Sequence, residues 1–264
     1  MALNQPAIEI LGLQINEPVT VATDLLVAGV CLYAFIKLVQ LPYRSKLKTY
    51  LLWYFMLMAI ATTIGGLIGH AFLWYFTASW ENPDWVNNII EQIAFLESHE
   101  PAYAWKLPGW IVSMLSIMFV ERAAIEQVRP IVKRGVGSAF KIVNLVELFL
   151  FMAITLATLN FRYVEIHSGY GLMFVVLSLQ GYAYIRTKDE GSKLFLYGVA
   201  VAAVAALFYM NEVGISKWFN HFDISHTLMA VSAYIFYRGA VKMLEKNNDR
   251  LLFRWFSNIR IRNL

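Results

Sequence analysis

Histidine and acidic side chains recur at the ends of the apolar segments of this sequence, where they could bind a metal or carry protons. The stretch 211–238, NEVGISKWFNHFDISHTLMAVSAYIFYR, places His221, Asp223 and His226 at the start of an apolar run. Imidazole and carboxylate groups bind zinc, and imidazole changes its charge near neutral pH. A simpler role is also open, because Asn220 or Asp223 could cap the first turn of a helix that begins here.

The composition indicates that these side chains belong to a membrane protein. The 264 residues are 59% hydrophobic and 15% charged, whereas a soluble domain is about 45–50% apolar and about 25% charged. A single cysteine, Cys31, excludes an internal disulfide framework and a multi-cysteine metal site. The net charge of +4 collects in the loops, as membrane topology alone produces, so a nucleic-acid partner is not indicated.

Seven apolar segments predict seven transmembrane helices in one all-α domain that covers residues 1–264. Each segment approaches or exceeds the roughly 20 residues that cross a bilayer. Residues 1–17 form a short, weakly amphipathic lead that we expect at the membrane interface. An acidic loop at about 77–104 contains a short amphipathic helix with too few apolar residues to span. The predicted spans are about 18–38, 50–76, 107–128, 139–159, 168–185, 194–210 and 223–243.

The distribution of lysine and arginine predicts the orientation of the helices. The loops after spans one, three and five and the tail are basic, whereas the loop after span two is acidic. The positive-inside rule then places the N-terminus outside and the C-terminus inside. The compact loops favour a multi-pass protein of a bacterial inner membrane. The small-residue patch TTIGGLIG in span two should pack closely against another helix.

In this topology all five histidines lie toward the outer side. Ionisable groups at membrane depth are costly, and they normally face the bundle interior, where they pair or bind a ligand. Three protein ligands and an open water position are typical of a catalytic zinc site. The histidines at this level are His70, His99, His167, His221 and His226, and the acids are Asp24, Glu165, Glu212 and Asp223.

Each candidate also has a simpler interpretation. His70 is either a ligand or the partner of an interhelical hydrogen bond, and Asp24 is either a capping group or a proton carrier. Asp223 shares a helix face with His226 and either orients its ring or caps the helix. His221 lies five residues before His226, so the two rings can share a metal only if the helix starts after His221.

The other polar residues of the spans receive smaller roles. His167 is either a further ligand or an ordinary interfacial histidine, and His99 should be solvated. Glu147 lies in span four, where we expect it to pair with Asn144 or with a neighbouring helix, outside the site.

The sequence has seven predicted spans, a histidine late in span two and a histidine pair at the start of span seven. In these features it resembles the CREST superfamily of membrane proteins, which contains alkaline ceramidases and progestin–adipoQ receptors. Its pattern is Ser-x3-His in span two and His-x3-His in span seven. His70 and His226 match, but Phe222 takes the place of the first span-seven histidine, which is displaced to His221. Gly66 stands at the serine position.

The serine and aspartate of the superfamily have only approximate counterparts. Thr62 and Thr63 lie one turn before the serine position, and Asp84 is loosely placed for the family aspartate, which Asp24 or Asp223 could replace. The resemblance implies zinc as the cofactor, with a zinc-bound water that attacks the amide or ester of a membrane lipid at the outer leaflet. The implied site has His70, His221 and His226 as metal ligands, Asp24 and Asp223 as catalytic groups, and His167, Glu165 and Thr63 in support.

Two other functions compete with this hydrolase, and a third is excluded. A non-catalytic seven-helix sensor, receptor or scaffold could use the histidine cluster to respond to pH or to a ligand. A b-type haem protein could use His70 and His226 as axial ligands. A retinal protein is excluded, because it needs a lysine in the middle of span seven and Lys242 lies at the inner end.

Overall fold

Long apolar helices form most of the structure, a computed structural model that describes residues 5–77 and 101–262. Two short 3₁₀ turns, Pro101–Lys106 and Arg129–Ile131, lie on either side of the fourth helix. Residues 78–100, with most of the predicted acidic loop and its amphipathic helix, Asp84 and His99, lie outside the described residues. The helices are α1 Pro18–Val39, α2 Lys46–Ile64, α3 Leu73–Thr77, α4 Leu107–Val128, α5 Arg134–Thr158, α6 Arg162–Tyr170, α7 Leu177–Thr187, α8 Glu190–Met210 and α9 His221–Arg262.

Two helices are extended by turns with π-helical hydrogen bonding. One turn, Gly65–Ala71, continues α2, and the other, Gly171–Val176, joins α6 to α7. Such turns insert an extra residue into the helical repeat and are frequent at functional sites. They rotate the side chains that follow them, so both are relevant to the position of polar groups in the bundle.

The structure confirms that the chain is helical, and several of its helices have the length and composition of membrane spans. Four segments are long and apolar enough to cross a membrane, namely Pro18–Val39, Lys46–Ala71, Gly135–Thr158 and Glu190–Met210. The other three predicted spans coincide with α4, with the continuous stretch 162–187 and with the first half of α9. These three stretches carry more charge or are divided by a π-helical turn.

The N-terminal lead contains a β-hairpin, which corrects the all-α prediction at this end of the chain. Strand β1, Ile8–Ile10, pairs antiparallel with β2, Leu13–Ile15. Leu11 and Gly12 connect them with φ angles of 54° and 78°. A two-residue hairpin turn with positive φ at both positions matches the twist of the paired strands. The alternating isoleucines and the glycine at the turn are the physical reasons for a hairpin here.

The long helices pack in a closed order around an apolar core, and α5 lies at the periphery. Helix α1 packs against α2 and α9, α2 packs against α4, and α8 packs against α7 and α9. Phe55, Phe195 and Phe236 are fully buried in this core. Helix α5 packs chiefly against α4 and α6. It exposes a row of apolar side chains that includes Val146 and Phe149.

Glycine permits the close contact between α8 and α9. A Cβ atom added at Gly191 would lie 2.6 Å from the carbonyl oxygen of Gly239, and one added at Gly239 would lie 2.9 Å from the carbonyl oxygen of Gly191. The rings of Phe195 and Phe236 stack beside this contact at 4.7 Å between centroids. A side chain at either glycine would therefore push backbone against backbone.

We expect Gly239→Ala to lower stability, because the added methyl group has no space between the two backbones; overpacking of this kind costs about 1–3 kcal/mol. Gly29→Ala is the matched control, since a Cβ at this helical position meets nothing within 4 Å and alanine favours helix over glycine by about 1 kcal/mol. Thermal unfolding of both variants in detergent measures the difference. Equal unfolding temperatures would contradict the proposed role of the glycine contact.

Candidate functional site

The bundle contains two groups of polar and ionisable side chains that are buried or half-buried. The hairpin-end cluster lies where the starts of α1 and α9 meet the end of α2, and the core cluster lies between α4, α5 and α6. The hairpin-end cluster consists of Glu17, Asp24, His70, His221, Asp223 and His226. The core cluster consists of Glu121, Asn144, Glu147 and His167.

A reciprocal cap sets the start of α9. The Phe222 N–H donates to Oδ1 of Asn220 at 2.9 Å, and the Asn220 N–H donates to Oδ2 of Asp223 at 2.7 Å. This is the arrangement of a capping box, which satisfies backbone donors that a helix leaves unpaired in its first turn. Asp223 is fully buried, and of its two predicted roles the capping one is observed.

The side chain of Gln5 joins the starts of α1 and α9. Its Nε2 donates to Oδ2 of Asp223 at 2.6 Å, while its Oε1 accepts from the backbone N–H groups of Val19 and Thr20 at 3.1 and 3.3 Å. The Thr20 hydroxyl also donates to Asp223, at 2.9 Å. Glu17, which precedes α1, makes no side-chain cap, so Gln5 provides the capping group from outside the helix.

Asp24 lies between two histidines from different helices. Its Oδ2 is 3.9 Å from Nε2 of His70, and its Oδ1 is 3.5 Å from Nδ1 of His226. Nδ1 of His70 contacts Oε2 of Glu17 at 2.5 Å, and Nδ1 of His226 lies 3.4 Å from the Thr23 hydroxyl. The structure therefore brings together His70, His226 and Asp24, which the sequence had assigned to one site.

The π-helical turn at the end of α2 positions His70 and leaves room for Asp24. A Cβ atom at Gly66, inside this turn, would lie 3.0 Å from Cβ of Asp24. The predicted close packing of the TTIGGLIG patch is thus observed, and its partner is α1. Gly66 is also the position that a serine holds in the CREST pattern. Asp24 of α1 occupies the space that such a side chain would need.

His221 stands apart from the other two histidines of this cluster. It is the first residue of α9, and its ring packs against Phe222 at 4.3 Å and Tyr209 at 5.8 Å between centroids. The ring centroids of His70 and His226 are 6.4 Å apart. A zinc site needs at least three ligand residues whose donor atoms lie close together. Within residues 5–77 and 101–262, Glu121, Glu147 and His167 meet this condition, because their donor atoms all lie within 4.8 Å of one another. The three predicted zinc histidines do not form such a group.

Two of the predicted supporting residues have partners elsewhere. The Thr63 hydroxyl donates to the carbonyl oxygen of Ala59, within α2, at 2.7 Å. The Glu165 carboxylate lies near Tyr209 of α8. His167, the third supporting residue, belongs to the core cluster.

Two charged groups at the hairpin end influence each other. Burial alone would raise the pKa of Glu17, but the hydrogen bond with His70 and the nearby charges of His70 and Lys106 outweigh it, so the pKa of Glu17 is lowered. Burial lowers the pKa of Lys106, and the charges of Glu17 and Asp24 act in the opposite direction. The ionisation of Glu17 and that of Lys106 therefore depend on the charges of the neighbouring groups.

In the core cluster, His167 is held by both ring nitrogens. Nδ1 contacts Oε1 of Glu147 at 2.5 Å, and Nε2 lies 3.1 Å from the carbonyl oxygen of Met114. A carbonyl oxygen can only accept, so Nε2 carries a hydrogen. Nδ1 therefore shares a proton with the Glu147 carboxylate or, without that proton, presents a lone pair.

The carboxylates of the core cluster have unused acceptor capacity. Oε2 of Glu121 accepts from Nδ2 of Asn144, and Oδ1 of Asn144 accepts from Nε of Arg122, both at 2.5 Å. Oε1 of Glu121 and Oε2 of Glu147 are buried and have no hydrogen-bond partner among the described residues. Glu121, Glu147 and His167 together could hold a metal ion.

Sequence reasoning found only part of this arrangement. It expected Glu147 to pair with Asn144 or with a neighbouring helix, and the second alternative is confirmed, because the partner is His167 of α6; Asn144 contacts Glu121 instead. Glu121 was not identified at all. The available signal was an acidic residue inside the apolar segment 107–128, opposite a second acid in the next span.

Comparison with known proteins places the chain in a family. The model of the family described as "Family of unknown function (DUF6962)" matches residues 19–99 and 94–245, so the chain belongs to this family. Asp24, His70, His226 and the whole core cluster lie within the matched residues. Comparison with curated proteins gave no match, and comparison with solved structures gave none.

We expect Gln5→Ala to destabilise the protein by about 1–3 kcal/mol, because the buried carboxylate of Asp223 loses a donor and two N–H groups of α1 lose their acceptor. Gln14→Ala is the matched control, since its exposed side chain bonds only to the neighbouring Asn16 side chain among the described residues. Thermal unfolding compares the two. A Gln5→Ala protein as stable as Gln14→Ala would show that the Gln5 contacts contribute nothing.

The lowered pKa of Glu17 predicts a loss of stability in acid. Because the folded-state pKa lies below the ordinary value of 4.5, the stabilisation is present above about pH 4.5 and disappears as the pH falls through the folded-state pKa. At pH 6, wild-type protein should thus unfold at a higher temperature than Glu17→Gln. The difference between the two unfolding temperatures, here called the gap, should decrease toward pH 3.5. A gap that stays constant over this range would contradict the assignment.

Proposed function

We propose that this protein is a non-catalytic seven-helix membrane sensor whose hairpin-end cluster responds to pH. The observation that carries the proposal is the position of Asp24 between the imidazoles of His70 and His226. Imidazole is the side chain whose ordinary titration falls between pH 5 and pH 8. A change in the charge of either ring alters the electrostatics of a buried network that joins α1, α2 and α9.

The proposal includes the topology predicted from the sequence. All seven apolar helical segments would cross the membrane, with the N-terminus outside, because the basic loops lie between spans one and two, three and four, and five and six. The protein would be a multi-pass protein of a bacterial inner membrane, surrounded by lipid. The hairpin-end cluster would then face the external medium and sample its pH.

A defined set of polar and charged groups surrounds the imidazoles of His70 and His226. The π-helical turn contributes His70, α1 contributes Asp24, and Glu17 precedes α1. Lys106 lies before α4, and Asp223 accepts hydrogen bonds from Gln5, Thr20 and Asn220. Because charges interact more strongly in partly buried surroundings than in water, a change of charge within this group should alter the contacts of α1 with α2 and α9.

A zinc-dependent hydrolase for a lipid amide or ester is the second candidate. It is favoured by the CREST resemblance and by the short distances from Asp24 to His70 and His226. A catalytic zinc needs three protein ligands around one point and an open water position. In this structure His70 is engaged by Glu17 and His221 faces Tyr209 and Phe222, which is why we place the sensor first.

Hydrogen exchange of the purified full chain at pH 5 and pH 8, corrected for the intrinsic pH dependence of exchange, tests the sensor. We expect peptides from 5–24 and 215–226 to be more protected at pH 5 in the wild type. The doubly substituted variant His70→Asn, His226→Asn should show the same protection at both values. Peptides from 194–206 of α8 serve as an internal control, because no residue of this stretch belongs to either cluster.

Two results would contradict the sensor. The sensor proposal loses its basis if hydrogen-exchange protection of the hairpin end does not change between pH 5 and pH 8. Hydrolysis of a lipid amide by the wild type, lost in His70→Asn and in His226→Asn together with bound zinc, would establish the hydrolase in its place.

A further inference from the structure

We propose that the core cluster binds one divalent transition-metal ion, for which zinc is well suited, and that this ion fastens α5 to the rest of the bundle. The site is separate from the hairpin-end cluster and does not depend on the sensor function. Its ligands are Glu121 of α4, Glu147 of α5 and His167 of α6, whose donor atoms all lie within 4.8 Å of one another.

Unpartnered carboxylate oxygens are the independent sign of a missing cation. Oε1 of Glu121 and Oε2 of Glu147 have no hydrogen-bond partner among the described residues, although Glu121 is 0% and Glu147 8% exposed. Buried polar atoms are nearly always paired, and an unpaired one often marks an ion or a water. Oε1 of Glu121 also faces Gly171, where a Cβ atom would collide with it. Gly171 directly follows α6, the helix that carries His167, so this oxygen lies on the side of the third ligand.

His167 is prepared to bind through Nδ1. The Nε2–H group donates to the carbonyl oxygen of Met114, which fixes the tautomer and leaves Nδ1 directed at Glu147. A metal-bound histidine usually donates its other ring N–H to a carbonyl or carboxylate in this manner. A divalent ion would replace the proton that Nδ1 and Glu147 share, and that proton would leave to solvent.

Hydrogen bonds from Arg122 to Asn144 and from Asn144 to Glu121 orient the Glu121 carboxylate. Asn144 donates to Oε2 of Glu121 and accepts from Arg122, so Oε2 is occupied and Oε1 remains for the ion. Asn144 and Glu147 are three residues apart on α5 and therefore lie on the same face of that helix. One face of α5 thus supplies both a ligand and the support of another ligand.

Charge and ligand type indicate the class of ion. Two buried carboxylates close together repel each other, and burial of unpaired charges is costly. A divalent cation neutralises both. Imidazole favours zinc and related transition metals, whereas magnesium and calcium prefer sites with oxygen ligands alone. The mixed ligand set therefore favours a transition metal.

Burial assigns the ion a structural role. Glu121 and His167 are both 0% exposed, so the ion would be shielded from solvent and its role would be to hold the helices together. Helix α5 packs chiefly against α4 and α6 and exposes much of its apolar surface. The three ligands come from α4, α5 and α6, so the ion would bind the peripheral helix to its two neighbours.

Zinc titration of the full chain, stripped with a chelator in detergent, tests the site without any substitution. We expect about one zinc ion per chain by elemental analysis and a rise in the unfolding temperature on addition of zinc, with no rise on addition of magnesium. Wild-type protein that binds no zinc, or that binds it without a change in unfolding temperature, would overturn the proposal.

Substitutions then locate the ion. Glu121→Gln, Glu147→Gln and His167→Gln should abolish stoichiometric zinc, and Asn144→Ala should weaken zinc binding about 10–100-fold. Glu126→Gln is the matched control on α4, because this half-buried acid pairs with Arg129 and Lys141, and it should keep the metal. Zinc that is lost in His226→Asn and kept in the three ligand variants would place the ion at the hairpin end and contradict the core site.

Discussion

The cost of burying charge in an apolar helical bundle governs both clusters of this protein. An ionisable side chain that leaves water must find a partner of opposite charge, a hydrogen bond or a metal ion. At the hairpin end the partners are other protein groups: Gln5 and Thr20 bond to Asp223, and Asp24 lies between two imidazoles. In the core cluster two carboxylate oxygens have no partner among the described residues, which is the difference that leads us to assign the two clusters different roles.

Much of the helical architecture could be predicted from hydropathy and charge alone, because long apolar runs have few alternatives in a membrane. The third predicted span, 107–128, coincides with α4, and the sixth ends with α8 at Met210. The N-terminal hairpin escaped prediction because its strands contain only three residues each. Such short alternations are too weak a pattern to distinguish from an amphipathic lead.

The sites were harder to predict than the helices, because pairing between helices depends on rotation about each helix axis. The two π-helical turns alter this rotation just before or after the polar groups, so the spacing that relates His70 to Gly66 or His167 to Gly171 does not follow the regular helical repeat. The predicted topology placed Asp24, His70 and His226 at one level, and the structure brings the three side chains together. It could not reveal that His167 turns to Glu147, since that contact depends on how α5 and α6 dock.

With the proposed sensor and metal site, the separation of the two clusters would give the protein a rigid part and a responsive part. A metal ion between α4, α5 and α6 would hold one side of the bundle fixed, while the imidazoles near α1 and α9 remain free to change their charge. The most direct test is X-ray absorption spectroscopy of the zinc-loaded full chain, because scattering within imidazole rings counts the histidine ligands. The core site predicts one imidazole with oxygen ligands from carboxylates; two or three imidazoles around the ion would contradict this site and favour the hairpin end.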